Sequence, residues 1–493
     1  MQTTLLGLGI AIILALVAAL VAPLVVDWNH YRAAFEKEAS RLVGLDVRVS
    51  GAIEARLLPT PRIALRDVEI DAAGGRPRMS AASVELEVAL GSLLRGQVQA
   101  TELRVVAPQI SLGLDSAGAV DWPAAPSLRP EAFAVSRLEV ENGRLFLGDA
   151  GSGARLVLQK VWFDGDIRSF LGPFRGEGTF VLDNQLYAYR ISASRFEPGT
   201  GLKLRLGVDP SDRPLTAEID GALNFDRGVP RFDGALTLAR PAGAALAGGA
   251  RVIGDPWQLT GKVEATPASA SLRELALQFG PQERAINLSG QAEVTFGAHP
   301  HAAGTVAATE FDLDRMLAAP EPTRRPPLLM VKSFCEALMA AVKPPLPVAV
   351  GVKVDALTMG GTVIRSLHGD VRFDDGGWRL SDVAFRAPGL TEVNVSGRLE
   401  DGPQGLAFSG PAKLESADLK ALMAWLEGRN DRPPGPSETF TAAGDVTIAS
   451  DRFALDRLSA VLDRESIEGR LAYTRAEGDR PAALDAQLRA ASL

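Results

Sequence analysis

One cysteine, Cys335, stands in 493 residues. A lone cysteine excludes an internal disulfide framework and any cysteine metal cluster, and so few thiols suit an oxidising compartment. Cys335 falls on the apolar side of a helical stretch, where a thiol is inert. Aromatic residues make up 6%, so apolar surfaces must come mainly from Leu, Val, Ile and Ala. Basic residues number 52 against 60 acidic ones, a net charge of −8. Nucleic acid would require the opposite sign. The four histidines, His30, His299, His301 and His368, are dispersed except for one His-Pro-His in a Gly/Ala/Pro turn without a third ligand, a poor start for zinc. A glycine-rich phosphate loop, a Gly-x-Ser-x-Gly elbow and a zinc-binding helix pair are all missing. No carboxylate pair stands out among sixty acids as a glycosidase couple. Asp374-Asp375-Gly376-Gly377 lacks the further ligands of a calcium loop and reads as a hairpin turn. The chain therefore reads as non-enzymatic, with no cofactor and no metal.

What is present is alternation. In the stretch 363–399, Val363, Leu367, Val371 and Phe373 share one side with Gly369, while Ser366, His368, Asp370 and Arg372 take the other. Val393, Val395, Gly397 and Leu399 alternate in the same way with Glu392, Asn394, Ser396 and Arg398. Period two marks strands with one dry and one wet face. Similar runs recur from Leu45 onward, separated by turns that use the 49 glycines and 32 prolines. The expected fold is mainly β: a long antiparallel sheet with a few short helices. The helical signals are 311–319, 328–342 between prolines, and 418–427 ended by Gly428.

Leu5 to Val26 carries no charge. At ~1.5 Å per residue that run can cross a bilayer core as a helix, which makes a single-pass membrane anchor the expectation and a cleaved signal peptide the alternative. The basic residues Arg32, Lys37 and Arg41 follow the span, and by the positive-inside rule they would keep the body in the cytoplasm. A large translocated domain can override that rule. Asp27 to Gly44 reads as an amphipathic juxtamembrane helix with Trp28, Tyr31, Phe35 and Leu42 on its apolar side. That side either lies on lipid or packs on the first strands. The expected divisions are 1–26 anchor, 27–44 helix, 45–122 first β segment, 123–270 middle β segment and 271–493 repeated β segment.

The last segment repeats itself. Leu272-Arg273-Glu274-Leu275 leads to Asn287-Leu288-Ser289-Gly290 and then Asp312-Leu313. Leu380-Ser381-Asp382-Val383 leads to Asn394-Val395-Ser396-Gly397 and then Asp418-Leu419. A third copy starts at Leu455-Asp456-Arg457-Leu458 and passes Ser466-Ile467-Glu468-Gly469. A period of this size belongs to repeat architectures. The third copy stops before its Asp-Leu, so the natural chain is expected to continue past Leu493.

A sheet this long has to cover its dry face, and the helical segments are few. It either packs on a second sheet or forms a trough for something apolar. About thirty strands at ~4.8 Å each would stack to roughly 140 Å in one continuous sheet, and acyl chains gain ~0.8 kcal/mol per buried methylene.

The opening, DWNHYRAAFEKEASRLVGLDVRVSGAIEARLLPTPRIALRDVEI after an uncharged span, resembles the AsmA family of bacterial inner-membrane proteins. The resemblance rests on the Trp/Tyr/Phe helix, Leu42 to Gly44, Val47 to Gly51, and Leu57-Leu58-Pro59 with Pro61 and Ile63. The repeats from Leu272 are similar to the family's later domain. The resemblance implies a taco-shaped β-groove, akin to the chorein-type bridge proteins, anchored in the inner membrane with its bulk in the periplasm. It implies phospholipid as ligand and a role in outer-membrane assembly and integrity, and it brings no catalytic residues. On that reading Val363, Leu367, Val371, Phe373, Val393, Val395 and Leu399 line a lipid groove. The alternative is a membrane-anchored periplasmic scaffold or regulator of outer-membrane protein assembly, with outer-membrane or periplasmic proteins as partners. An envelope hydrolase is the weakest of the three.

Overall fold

The computed structural model describes residues 26–58, 60–71, 78–93, 100–121, 135–167, 172–197, 199–212, 214–241, 256–280, 285–317, 326–341, 344, 346–374, 377–402, 405–429, 437–449, 452–474 and 482–492. The uncharged segment Leu5 to Val26 lies, Val26 aside, outside these residues. Among the described residues no helix is long and apolar enough to cross a membrane. The chain is mainly β, with few short helices. It divides into two compact units. One holds Met1–Pro256, Lys262–Ala270 and Phe296–Ala298, and the other holds Trp257–Gly261, Ser271–Thr295 and His299–Leu493.

In the first unit a 3-10 turn, Trp28–Tyr31, precedes helix α1, Arg32–Val43. The sequence reads as one helix from Asp27. The break arises because the Asp27 side chain accepts from the Asn29 N–H and sets a tighter turn first. Gly44, at φ 72°, ends α1 in the left-handed conformation that glycine reaches without strain. Strands β1 (Val47–Val49) and β2 (Ile53–Arg56) both pair with β3 (Arg62–Ile70), which pairs with β4 (Met79–Val88). Beyond them come β5 (Ala100–Val106), β6 (Gln109–Leu114) and β7 (Val135–Asp149).

Strands β5 and β6 both run parallel to the long β7. This corrects the expectation of a wholly antiparallel sheet. The left-handed Ala107 and the following Pro108 interrupt one run into two, and the connection from Leu114 to Val135 brings the chain back in the same direction, as parallel neighbours require. Strands β8 (Arg155–Ile167), β9 (Phe174–Leu182), β10 (Gln185–Ala193), β11 (Leu202–Pro210), β12 (Thr216–Asp226) and β13 (Val229–Arg240) continue as an antiparallel meander. The residues of β14 (Trp257–Ala265) and β15 (Ser269–Phe279) are shared between the two units.

The second unit continues with β16 (Ile286–Thr295) and β17 (His301–Asp312), then a one-turn helix, Leu313–Met316. Helix α2 (Pro327–Ala341) leads to β18 (Val348–Met359), which is parallel to β17. The proline-fenced helix thus lies in the crossover that a parallel pair needs. Strands β19 (Thr362–Asp374), β20 (Gly377–Ala387), β21 (Thr391–Gly402) and β22 (Gly405–Ser416) follow as antiparallel neighbours. Helix α3 (Leu419–Leu426) precedes β23 (Phe440–Ile448), β24 (Arg452–Leu462), β25 (Glu465–Thr474) and β26 (Ala483–Ser492). The unit's buried cluster lies under its helices. Leu313, Met330, Leu422 and Trp425 meet Leu357, Met359 and Ile364 there. Asp312 and Asp418 start their helices alike, each accepting from a backbone N–H three residues on.

Candidate functional site

Each unit carries an apolar surface assembled by register. In the first unit, Leu138, Gly165, Gly176, Ile191, Leu206, Ile219 and Leu236 are successive partners across β7 to β13. Beside them runs Val140, Phe163, Gly178, Tyr189, Val208, Ala217 and Leu238. Apart from the buried Gly178, these residues are half-buried. In β7 to β13 only Val135 and Ala193 are fully buried hydrophobics. Neither buried cluster of the protein includes a residue of these strands, so among the described residues seven strands of apolar face have no helix or second layer over them.

The second unit repeats the arrangement. Val348, Phe373, Trp378 and Leu399 are cross-strand partners in sequence. The same row continues through Phe408, Ile448, Phe453, Tyr473 and Leu484. Phe373 and Trp378 have ring centroids 5.0 Å apart. This aromatic row departs from the expectation of an apolar face poor in aromatics. Its members come from strands spread over more than a hundred residues, and only register gathers them. Among the described residues the face is covered at one end and not at the other. Leu367, Phe385, Val393 and Leu414 pack against the helix-covered cluster, whereas the row from Phe373 to Leu484 belongs to neither cluster.

Of the expected lining residues, Leu367, Val371, Phe373, Val393, Val395 and Leu399 are half-buried on this face. Val363 is not with them: it is 44% exposed, and Ile364, at 2%, takes the buried place. The cause is Ser366, whose backbone is left-handed at φ 57° and which sits at a register shift. A bulge inserts one residue and reverses the facing of everything before it.

The same device explains the internal repeat. Glu274, Asp382 and Arg457 occupy equivalent places in the three copies, and their φ angles are 52°, 50° and 54°. Register shifts fall between Leu380 and Val383 and between Leu455 and Leu458. The Leu-x-x-Leu spacing is therefore a strand in which the bulge puts both ends on the apolar side. In the second copy Ser396 Oγ accepts the Asp382 N–H at 2.9 Å, which gives the repeat's serine a role.

Glycines keep the apolar face low. A side chain at Gly176 would stand 2.5 Å from the Phe163 ring, one at Gly178 2.7 Å from Tyr189, and one at Gly397 2.6 Å from Phe408. The rings lie across the backbone where these side chains would be. Tyr189 donates its hydroxyl to the Trp162 carbonyl at 3.3 Å, and burial pushes its pKa up to about 12.

The opposite face is charged and paired across strands. Arg137 meets Asp164 in two bonds of 3.0 and 2.6 Å. That contact holds the Asp164 carboxyl below its usual range and the guanidinium above its own. Arg104 bonds Glu141, Arg190 bonds Asp209 and Arg457 bonds Asp445. A depression of about 460 Å³ on this polar side is bordered by Asp382, Asn394, Lys413 and Arg457. Of the histidines, His301 Nδ1 lies 3.2 Å from the His299 carbonyl and His368 Nδ1 lies 2.9 Å from that of Ser366.

At the start of the sheet, Trp28 and Phe35 pack against Val47, Val49, Ile53 and Val68, while Tyr31 is 54% exposed. The Leu42 side chain lies outside the described residues. Polar groups of this segment complete the edge strands. The N–H groups of Val47, Val49 and Ile53 donate to Ser40 Oγ, Glu36 Oε1 and Asn29 Oδ1. An edge that would otherwise invite another chain is thus closed.

Residues 2–153 match the model of the AsmA family. No curated protein and no solved structure matches the chain.

Proposed function

The chain belongs to the AsmA family through its opening part, residues 2–153, and from that premise we propose that it shields and conducts phospholipid acyl chains along its apolar faces without catalysing a reaction. The observation that carries this reading is the uncovered surface of β7 to β13, where apolar partners succeed one another across seven strands outside both buried clusters. Burying apolar area releases about 25 cal/mol per Å², so a half-buried face of this extent favours an apolar occupant. The uncharged run Leu5 to Val26 supports a membrane anchor; the reading places that anchor in the inner membrane, the bulk of the chain in the periplasm, and lipid moving between the inner and outer membranes.

The test is chemical. The full chain is purified in mild detergent and its bound lipid is extracted and weighed by mass spectrometry against a control membrane protein. Stoichiometric phospholipid is expected, and lipid at the control level overturns the reading. Leu206→Asp and Val395→Asp, each on an apolar face, are expected to strip that lipid while circular dichroism still reports native β content. If envelope function survives with the lipid gone, the protein acts as a scaffold for outer-membrane protein assembly instead.

A further inference from the structure

The second unit holds three arginines in line. Arg372 is the cross-strand partner of Arg379, and Arg379 is the partner of Arg398. Three cations on adjacent strands repel one another, and like charges placed directly opposite destabilise a sheet. The row is only partly compensated. Asp374 approaches Arg379 at 3.7 Å, and among the described residues Arg372 and Arg398 have no ion-pair partner. Asp370 and Glu400 flank the row two residues along their strands and pair with Ser381 and Ala407 in register. Arg365 and Arg386 are cross-strand partners on the same strands, but there Arg386 is bonded to Glu392, as Arg457 is to Asp445.

The position of the row matters as much as its charge. It lies one rung from Phe373, Trp378 and Leu399, the row at the unsealed end of the apolar face. A rung is ~3.3 Å along the strand, and successive side chains leave opposite faces, so the arginines stand on the polar face directly behind that end of the apolar row. The β19–β20 hairpin turns after Asp374 and the β21–β22 hairpin turns after Gly402. Arg379 and Arg398 therefore face each other between two hairpin ends, where no turn joins their strands. Trp at the boundary between apolar and polar surroundings is a familiar arrangement at lipid headgroup level. The guanidinium fork matches phosphate oxygens in pairs.

We propose that Arg372, Arg379 and Arg398 form an anion station at the rim of the second unit's apolar face, selecting amphiphiles whose headgroup carries a net negative phosphate. The inference rests on the acyl-chain reading above and adds headgroup selectivity to it.

The experiment offers the full chain in detergent vesicles of phosphatidylcholine, the same vesicles with phosphatidylglycerol, and, separately, inorganic phosphate. Wild type is expected to extract the anionic lipid about tenfold better than the zwitterionic one, a difference of about 1.4 kcal/mol. The variant R372Q/R379Q/R398Q is expected to take both lipids equally, at the wild-type level for phosphatidylcholine, with unchanged β content. R372K/R379K/R398K, which keeps charge but loses the fork, is expected to fall between them. Equal uptake of both lipids by wild type overturns the station and leaves the acyl-chain reading intact. So does a glutamine variant that keeps the preference. Uptake of neither lipid overturns both. Binding of inorganic phosphate that is lost in the glutamine variant, without any lipid preference in wild type, overturns the lipid assignment in favour of a soluble anion.

Discussion

The backbone N–H of Asp382 donates to Ser396 Oγ at 2.9 Å, from β20 to the neighbouring β21. Asp382 stands at φ 50° in a bulge, so its N–H is turned out of the ladder and the serine satisfies it. Ser396→Ala is expected to destabilise the second unit by about 0.5–1.5 kcal/mol, the net worth of a hydrogen bond whose donor can turn to water instead. Asp382→Gly relieves a left-handed backbone worth roughly 1 kcal/mol and should cost little or nothing. Urea midpoints of the two variants decide it; a Ser396→Ala midpoint equal to wild type removes the serine from the account.

Glu36 accepts the Val49 N–H at 2.8 Å and so helps to close the first sheet edge. With Glu36→Ala, the amide of Val49, itself 2% exposed, loses its acceptor. Hydrogen exchange at Val49 should then quicken, and the protein should associate more readily through the opened edge. Glu36→Gln, which keeps an acceptor oxygen, should behave as wild type.

Trp425, 5% exposed, donates Nε1–H to the Met359 carbonyl at 3.0 Å and ties α3 to the end of β18. Trp425→Phe leaves that carbonyl unpaired and is expected to cost about 1–3 kcal/mol. Trp425→Ala adds a cavity, for about 3–5 kcal/mol. Thermal unfolding ranks the two. A Trp425→Phe midpoint equal to wild type would mean that the bond contributes nothing beyond packing.

Tyr189 gives a pH prediction. Burial raises its folded pKa to about 12, above the ordinary value near 10. Between these values the unfolded chain has already lost the proton that the folded chain keeps. Stability from this group is therefore complete below about pH 10 and declines as pH rises towards 12. The absorbance difference at 295 nm between wild type and Tyr189→Phe should titrate near the upper value. A midpoint near 10 would show the ring open to water.

Alternation made most strands legible in the sequence, and with them the dry face holding Val371, Val393 and Val395. Proline fences and Asp-Leu starts marked the helices. Three things were not legible. The Leu-x-x-Leu repeat was visible, but not that its third position turns left-handed; a polar residue between two inward leucines was the available clue. The bulge at Ser366 turned Val363 outward, and Ile364, which broke the alternation, was its trace. Register was the third. Phe373 and Tyr473, like Arg372 and Arg398, share rows only because hairpin lengths align them, and the parallel join of β17 to β18 hides in a helix that reads as an ordinary insertion.

Phe163 reclines over Gly176 and Phe408 over Gly397, so at those places the face is ring and peptide with no side chain standing up between. A hydrocarbon tail resting there meets flat rings and bare peptide, so kinks and double bonds find nothing to interlock with. If acyl chains occupy these faces as proposed, such patches would distinguish little between tails of different length or saturation, and discrimination would fall to whatever touches the polar end of the passenger.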